Sequence, residues 1–389
     1  MNIPKLRFKD NNGNNYPQWE KKKLGDISDI RDGTHDSPKY INNGYPLITS
    51  KNIQNGKISF DNINYISKED YDNINKRSNV SVGDIIMGMI GTIGNVALLS
   101  EENFAIKNVA LFKEKTLLKN IFLIQYLQSD IFYKSISNLN EGGTQKFISL
   151  KNIRNLYINI PFIEEQEKIA NFLIIVDKKI ENLENTITSL ENQKKGLLQQ
   201  IFSQKLRFKD ENGNNYPNWE KKKLGDIFTI KAGGDICKEN FSKQYSSEFK
   251  YPIYANALTN KGLYGYSNIY KIDKPSITVT GRGDVGFALS RKPFYYPIVR
   301  LLVLIPNIDI NFTFFTESIN FIHIFNESTG VPQLTAPQLS KVNVYVPNIE
   351  EQNKIGNLFD KLNEKIDNKK AQLEHWKQIK KGLLQQMFV

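Results

Sequence analysis

The chain says the same thing twice. Lys5 to Ile27 reads KLRFKDNNGNNYPQWEKKKLGDI, and Lys205 to Ile227 reads KLRFKDENGNNYPNWEKKKLGDI. Only Asn11/Glu211 and Gln18/Asn218 differ. A second repeat follows at an offset of 186 residues: Ile163-Glu164-Glu165-Gln166 returns as Ile349-Glu350-Glu351-Gln352. Gly196-Leu197-Leu198-Gln199-Gln200 returns as Gly382-Leu383-Leu384-Gln385-Gln386. The stretches between are dissimilar. The plan is two half-molecules with a constant frame and a variable insert, which suits a molecule that reads two different things at a fixed separation.

The repeats divide the chain into a variable block over 1–161, a constant segment over 162–204, a second variable block over 205–347 and a second constant segment over 348–389. Each half is long enough to bury its own core. The constant segments carry a helical seam. Ile169, Leu173, Val176, Ile180, Leu183, Ile187 and Leu190 alternate steps of four and three, and Ile355, Phe359, Leu362, Ile366, Leu373 and Trp376 keep the same register. That spacing predicts long helices with an a/d stripe. Either each stripe packs on its own block, or the two helices pair. A duplicated element that pairs with itself makes a two-fold contact, which sets the helices antiparallel and the blocks at opposite ends. Roughly forty residues at about 1.5 Å each give a rod of ~60 Å. The glutamate pairs after Pro161 and Pro347 suit helix starts.

The variable blocks read as mixed α and β. Strand-like runs include 45–50, 84–87, 95–99, 156–160, 276–280, 298–305 and 342–346, with helices near 120–135 and 313–326. The fold expectation is α+β: two mixed α/β domains in pseudo-two-fold arrangement, separated by two long antiparallel coiled-coil helices.

Several chemistries find no foothold. The one cysteine, Cys237, excludes a disulfide framework and a cysteine-ligated zinc site, and the three histidines His35, His323 and His375 lack ligand spacing. Near Gly56-Lys57, Lys51 stands where a phosphate loop needs its first glycine. There is no Asn-Pro-Pro-Tyr or Asp-Pro-Pro-Tyr of the kind that holds a flipped base. The apolar runs are too short to span a membrane and the first residues lack a signal core, so a cytoplasmic protein without an active site or cofactor is expected.

A formal charge of +11 favours a polyanion. Lys21-Lys22-Lys23 and Lys221-Lys222-Lys223 precede the first strand of each block, as phosphate contacts or as a solvated face. The polar turn with Thr34, His35 and Lys39, then Lys51 and Asn52, carries groups able to meet base edges; Lys231 holds the equivalent place in the second block. Glycine loops carry Thr92 and Arg282, and an exposed arginine there can grip guanine O6 and N7. Gln145 and Lys146 lie where Gln333 follows Gly330, before each block's last strand; glutamine pairs with adenine N6 and N7. Each of these is equally an ordinary turn or cap residue. Trp19 and Trp219 read as core.

Together these residues resemble the specificity subunit of type I restriction–modification enzymes. The resemblance rests on Trp-Glu-Lys-Lys-Lys-Leu-Gly-Asp at 19–26 and 219–226, Pro-x-Ile-Glu-Glu-Gln at 161–166 and 347–352, Lys-Lys-Gly-Leu-Leu-Gln-Gln at 194–200 and 380–386, and the Asp32–Pro38 turn with Ile48–Ile53. It spans essentially the whole chain. The resemblance implies that each variable block is a target-recognition domain reading one half of a bipartite site in double-stranded DNA. It implies that the helices dock two copies of an adenine-methylating subunit and that a motor-nuclease restriction subunit joins them. S-adenosylmethionine, ATP and magnesium would then belong to those partners. It carries over no base-contact residue, because the recognition domains are the variable part. A stand-alone DNA-binding regulator with a coiled-coil spacer is the nearest alternative; a self-contained nuclease and a scaffold without DNA are the others.

Overall fold

The computed structural model describes residues 4–54, 56–139, 146–322, 324 and 333–389. Contacts divide the chain into two compact units, Met1–Glu184 with Ala371–Val389, and Asn185–Lys370. Each unit therefore holds one variable block and half of each long helix.

In the first unit a four-stranded antiparallel sheet runs in the order Asp29–Asp32, Val109–Lys113, Ile85–Gly88, Val96–Leu98. Its central strands are apolar at every position before the terminal Lys113, which pairs with Asp84, because both faces are covered. Ile85, Met87, Ala110 and Phe112 face a helical layer that includes Phe122, Leu123 and Phe132. Ile86, Ala97, Val109 and Leu111 face Ile48, Ile53, Phe104 and Ile106. The latter group belongs partly to a second sheet, ordered Asn64–Ile66, Tyr45–Thr49, Ala105–Lys107, whose last pair is parallel.

The second unit repeats the order of the main sheet with unrelated residues, while its other sheet has four strands instead of three. The main sheet runs Phe228–Ala232, Leu302–Pro306, Ser276–Val279, Ala288–Arg291. A parallel pair, Tyr251–Tyr254 with Tyr296–Pro297, stands where the first unit has its own. Ile277, Val279, Leu302 and Leu304 meet Phe314 and Phe315. The opposite face is partly polar. The buried Arg291 stacks 3.8 Å from the Tyr254 ring centroid and donates through Nε to Thr278 Oγ1. Burial pulls the Arg291 pKa below its ordinary value and pushes the Tyr295 phenol up to about 12; that hydroxyl shares a 2.7 Å hydrogen bond with Ser276.

The constant segments form two helices, Ile163–Phe202 and Ile349–Met387. Within the first unit Asp177 pairs with Lys380 and Glu184 with Lys377, so the two helix portions run antiparallel there. In the second unit Glu191 pairs with Lys370, while Leu190, Leu362 and Ile366 close an apolar contact. The seam serves two purposes. Ile169 and Leu173 complete the first unit's core, and Ile355 and Phe359 complete the second's. Val176, Leu183 and Ile187 are buried along the helix, whereas Ile180, Leu373 and Trp376 are half-buried. The helix exits are also core: Leu384, Met387 and Phe388 in the first unit, Ile201 in the second. Full burial of a side chain such as Phe388 contributes about 2–3 kcal/mol.

Three sequence expectations change. The triple lysines do not precede the first strand; they are that strand, Glu20–Lys23 and Glu220–Lys223, paired antiparallel with Tyr157–Ile160 and Asn343–Val346. A two-stranded ribbon tolerates lysine throughout because its outer face is solvated: Lys22 pairs with Glu20, and Lys21 lies over Tyr157. The run over 298–305 is not one strand. Val299 and Arg300 take φ of +53° and +58°, and pairing within the four-stranded sheet begins at Leu302. The helix expected over 120–135 is two, Asn120–Leu127 and Asp130–Ser137. Ser129 divides them by bonding back to Tyr126 O and capping Phe132 N–H.

Candidate nucleic-acid interface

The constant frame is built as a clamp. Arg7 donates from Nε and Nη2 to both oxygens of Glu165, at 3.0 and 2.7 Å, and Trp19 Nε1 adds a third bond at 3.3 Å. Arg207, Glu351 and Trp219 repeat the arrangement at 3.2, 2.7 and 3.0 Å. Both carboxylates are fully buried. Gln166 and Gln352 close the same junctions, donating to Pro161 O and Pro347 O. Asp10 and Asp210 fold the hairpin turns ahead of each clamp; the N–H groups of Asn14 and Asn214 hold their pKa below the ordinary carboxylate value. The near-identical 23-residue stretches are thus seats for the helix starts, and the tryptophans belong to them.

On the frame each block carries a platform of interlocked loops. In the first, Gly33 lies so close to Ile106 that a Cβ would stand 2.2 Å from its carbonyl oxygen. Thr34 N–H donates to Ile106 O, and Asn108 N–H, at φ +56°, donates to Thr34 O. His35 donates from Nε2 to Asp32 at 3.0 Å, and its Nδ1 lies 2.9 Å from Asn108 Oδ1. Ser50 Oγ donates to Asn108 O, and Thr92 Oγ1 donates to Ser50 O at 2.7 Å. Ile90 bridges Phe147, which sets the exposed Lys146 beside this group.

The second platform has the same joints. Gly233 lies against Pro297, where a Cβ would meet backbone at 2.7 Å. Val299 and Arg300 donate their N–H groups to Gly234 O and Gly233 O. Asn256 bridges Val299 O and Gly281 N–H at 2.6 and 2.7 Å. Arg282 bridges Gln333, as Ile90 bridges Phe147. Val299 is a β-branched residue in the left-handed region, a conformation that costs about 1–3 kcal/mol and gathers at functional loops.

Most of the residues singled out in the sequence come together on these platforms, though not in equal condition. Lys39, Lys51 and Lys146 are exposed. Asn52 is buried, its amide receiving Thr49 N–H and donating to Ser59 O, so it shapes the turn. Thr92 and His35 are exposed yet committed to neighbouring loops. Lys231 is exposed at the strand before Gly233, and Arg282 and Gln333 are half-buried. Gln145 lies outside the described residues, as do His323 and Gly330. Sequence reasoning missed Arg300, exposed at the loop joint equivalent to Asn108. An arginine amid Val, Leu and Ile was the available signal.

Among the described residues, no group of His, Cys, Asp or Glu could hold a metal, and no helix is long and apolar enough to cross a membrane. The fold and its two platforms define a doubled recognition protein: unlike surfaces on a common mount. The model of the type I restriction modification DNA specificity domain matches residues 16–192 and 216–377. The chain belongs to that family. It is a type I specificity subunit, a non-catalytic DNA-recognition component that assembles with other restriction–modification subunits.

Relatives match most of the length. A putative type I specificity subunit of Mycoplasma pneumoniae is 25% identical over 344 residues, covering 87% of this chain and 88% of that one. A putative type I restriction enzyme specificity subunit of Methanocaldococcus jannaschii is 24% identical over 398 residues, covering 94% and 92%. The crystal structure of a type I S subunit from M. genitalium shares the fold, with a TM-score of 0.70 at 20% identity, covering 100% of this chain and 99% of that one.

Proposed function

We propose that each block reads one half of a bipartite DNA site through its loop platform, and that the paired helices set the gap between the halves and dock two adenine-methylating subunits. A motor-nuclease subunit completes the restriction complex, and S-adenosylmethionine, ATP and magnesium reside in those partners. Cytoplasmic DNA is the target this reading requires. The observation that carries it is the double platform: two surfaces with the same joints but different exposed side chains, each mounted on an identical Arg–Glu–Trp clamp. In the boundaries proposed from the sequence, the recognition domains are 1–161 and 205–347, and the spacers are 162–204 and 348–389.

On this reading the exposed lysines contact phosphate, while Arg282, Arg300 and Gln333 have the chemistry to meet base edges. Replacing Lys51 by alanine should weaken binding alike on matched and mismatched DNA. It should also lower the slope of log affinity against log salt by about one. A titration across salt concentrations with an unchanged slope would remove Lys51 from the interface. Inserting seven residues into each spacer keeps the seam in register and lengthens each helix by ~10 Å. The gap accepted between half-sites should then change, read by selecting bound sequences from a random pool. An unchanged gap would show that the helices do not measure it.

A further inference from the structure

Gln166 Oε1 receives the N–H of Lys119, and Gln352 Oε1 receives that of Asn311, at equivalent helix starts. Six residues beyond the donors Lys119 and Asn311 stand Gln125 and Glu317, both buried. In the first unit Gln125 Nε2 donates to Asp177 Oδ2 at 2.8 Å, and Lys380 Nζ to Asp177 Oδ1 at 2.6 Å. In the second unit Lys194 Nζ and Asn363 Nδ2 both donate to Glu317 Oε1, at 2.6 and 3.0 Å. Asp177 and Asn363 are the same helix position one repeat apart, as are Lys194 and Lys380. Each unit therefore holds one lysine, one amide and one carboxylate. The carboxylate belongs to the helix in the first and to the variable block in the second.

We propose that these triads are a matching code between block and frame. A block bearing glutamine at this place fits a helix bearing aspartate; a block bearing glutamate fits a helix bearing asparagine. A block moved to the wrong frame puts two carboxylates against one lysine, or leaves the lysine with none. Both are costly at these partly buried places, more so beside Glu317 at 6% exposure than beside Asp177 at 36%, because like charges repel and a partly buried charge left alone lacks compensation. The code restricts which blocks can be exchanged between positions, whatever sequence they read.

The test is thermal unfolding of the full chain without DNA. Gln125→Glu should lower the first unit's midpoint by roughly 4–8 °C, and Asp177→Asn should lower it less. The double variant should recover most of the loss, since it rebuilds the second unit's triad. The reciprocal pair, Glu317→Gln with Asn363→Asp, should behave alike, and keeps the test open if Gln125→Glu does not fold. A chain carrying the second block in both positions should be stabilised by Asp177→Asn. Losses that simply add in both double variants would overturn the code. With no DNA present, that outcome leaves the recognition reading untouched, and failure of DNA binding leaves the code untouched.

Discussion

Replacing Arg7 by methionine should destabilise the first unit by about 3–5 kcal/mol, a large share of the stability of an ordinary domain. The reason is geometric. Arg7 meets both oxygens of Glu165 in a fork, and the carboxylate has no solvent exposure. Without the guanidinium the charge keeps, among the described residues, only the Trp19 indole bond of 3.3 Å. A buried carboxylate left that way costs far more than the pair contributes when intact. Arg7→Lys should fall between, because an ammonium keeps the charge but not the two-pronged fit. Adding Glu165→Gln to Arg7→Met should recover part of the loss by removing the stranded charge. Arg207→Met should have the same consequence in the second unit, where Glu351 is equally buried. Denaturant unfolding measures these differences; a loss below about 1 kcal/mol would mean the clamp is replaceable by packing alone.

The clamp also shows where sequence reading reaches and where it stops. Repetition exposed the frame, and the three-four spacing exposed two helices of 40 and 39 residues. Periodicity does not say what covers an apolar stripe. Ile169 and Ile355 cover block cores, whereas Leu190 and Leu362 lie in the apolar contact between the helices, all in one heptad register. The Glu164-Glu165 pair suited a helix start on dipole grounds, yet Glu165 is the buried partner of an arginine 158 residues away. Nothing local encodes such a partner. The turn at Val299–Arg300 was hidden because apolar residues flank it, and a strand and an interrupted strand look alike in composition. On the platforms, residue type suggested which groups could meet bases, but only the fold separates Asn52, spent on its own turn, from the exposed Lys51.

The largest functional effect should come from replacing block 205–347 with the corresponding block of another specificity subunit. Specific and non-specific DNA binding differ by about 10³–10⁷-fold. Exchanging one reader should therefore abolish recognition of one half-site and install another, while the second half-site keeps its affinity. Several of the platform's joints are backbone contacts, such as Arg300 N–H to Gly233 O, so many of its exposed side chains can change while the mount is kept. A transplanted block bearing glutamate where Glu317 stands should seat well against Asn363; one bearing glutamine should need Asn363→Asp.

Genome-wide mapping of methylated adenines, in cells carrying this chain with its partner subunits and again after the exchange, tests the two-reader account most directly. The account predicts a two-part motif in both strains, with one half and the gap unchanged and the other half replaced. A single undivided motif, or a change in both halves after exchange of one block, would contradict it.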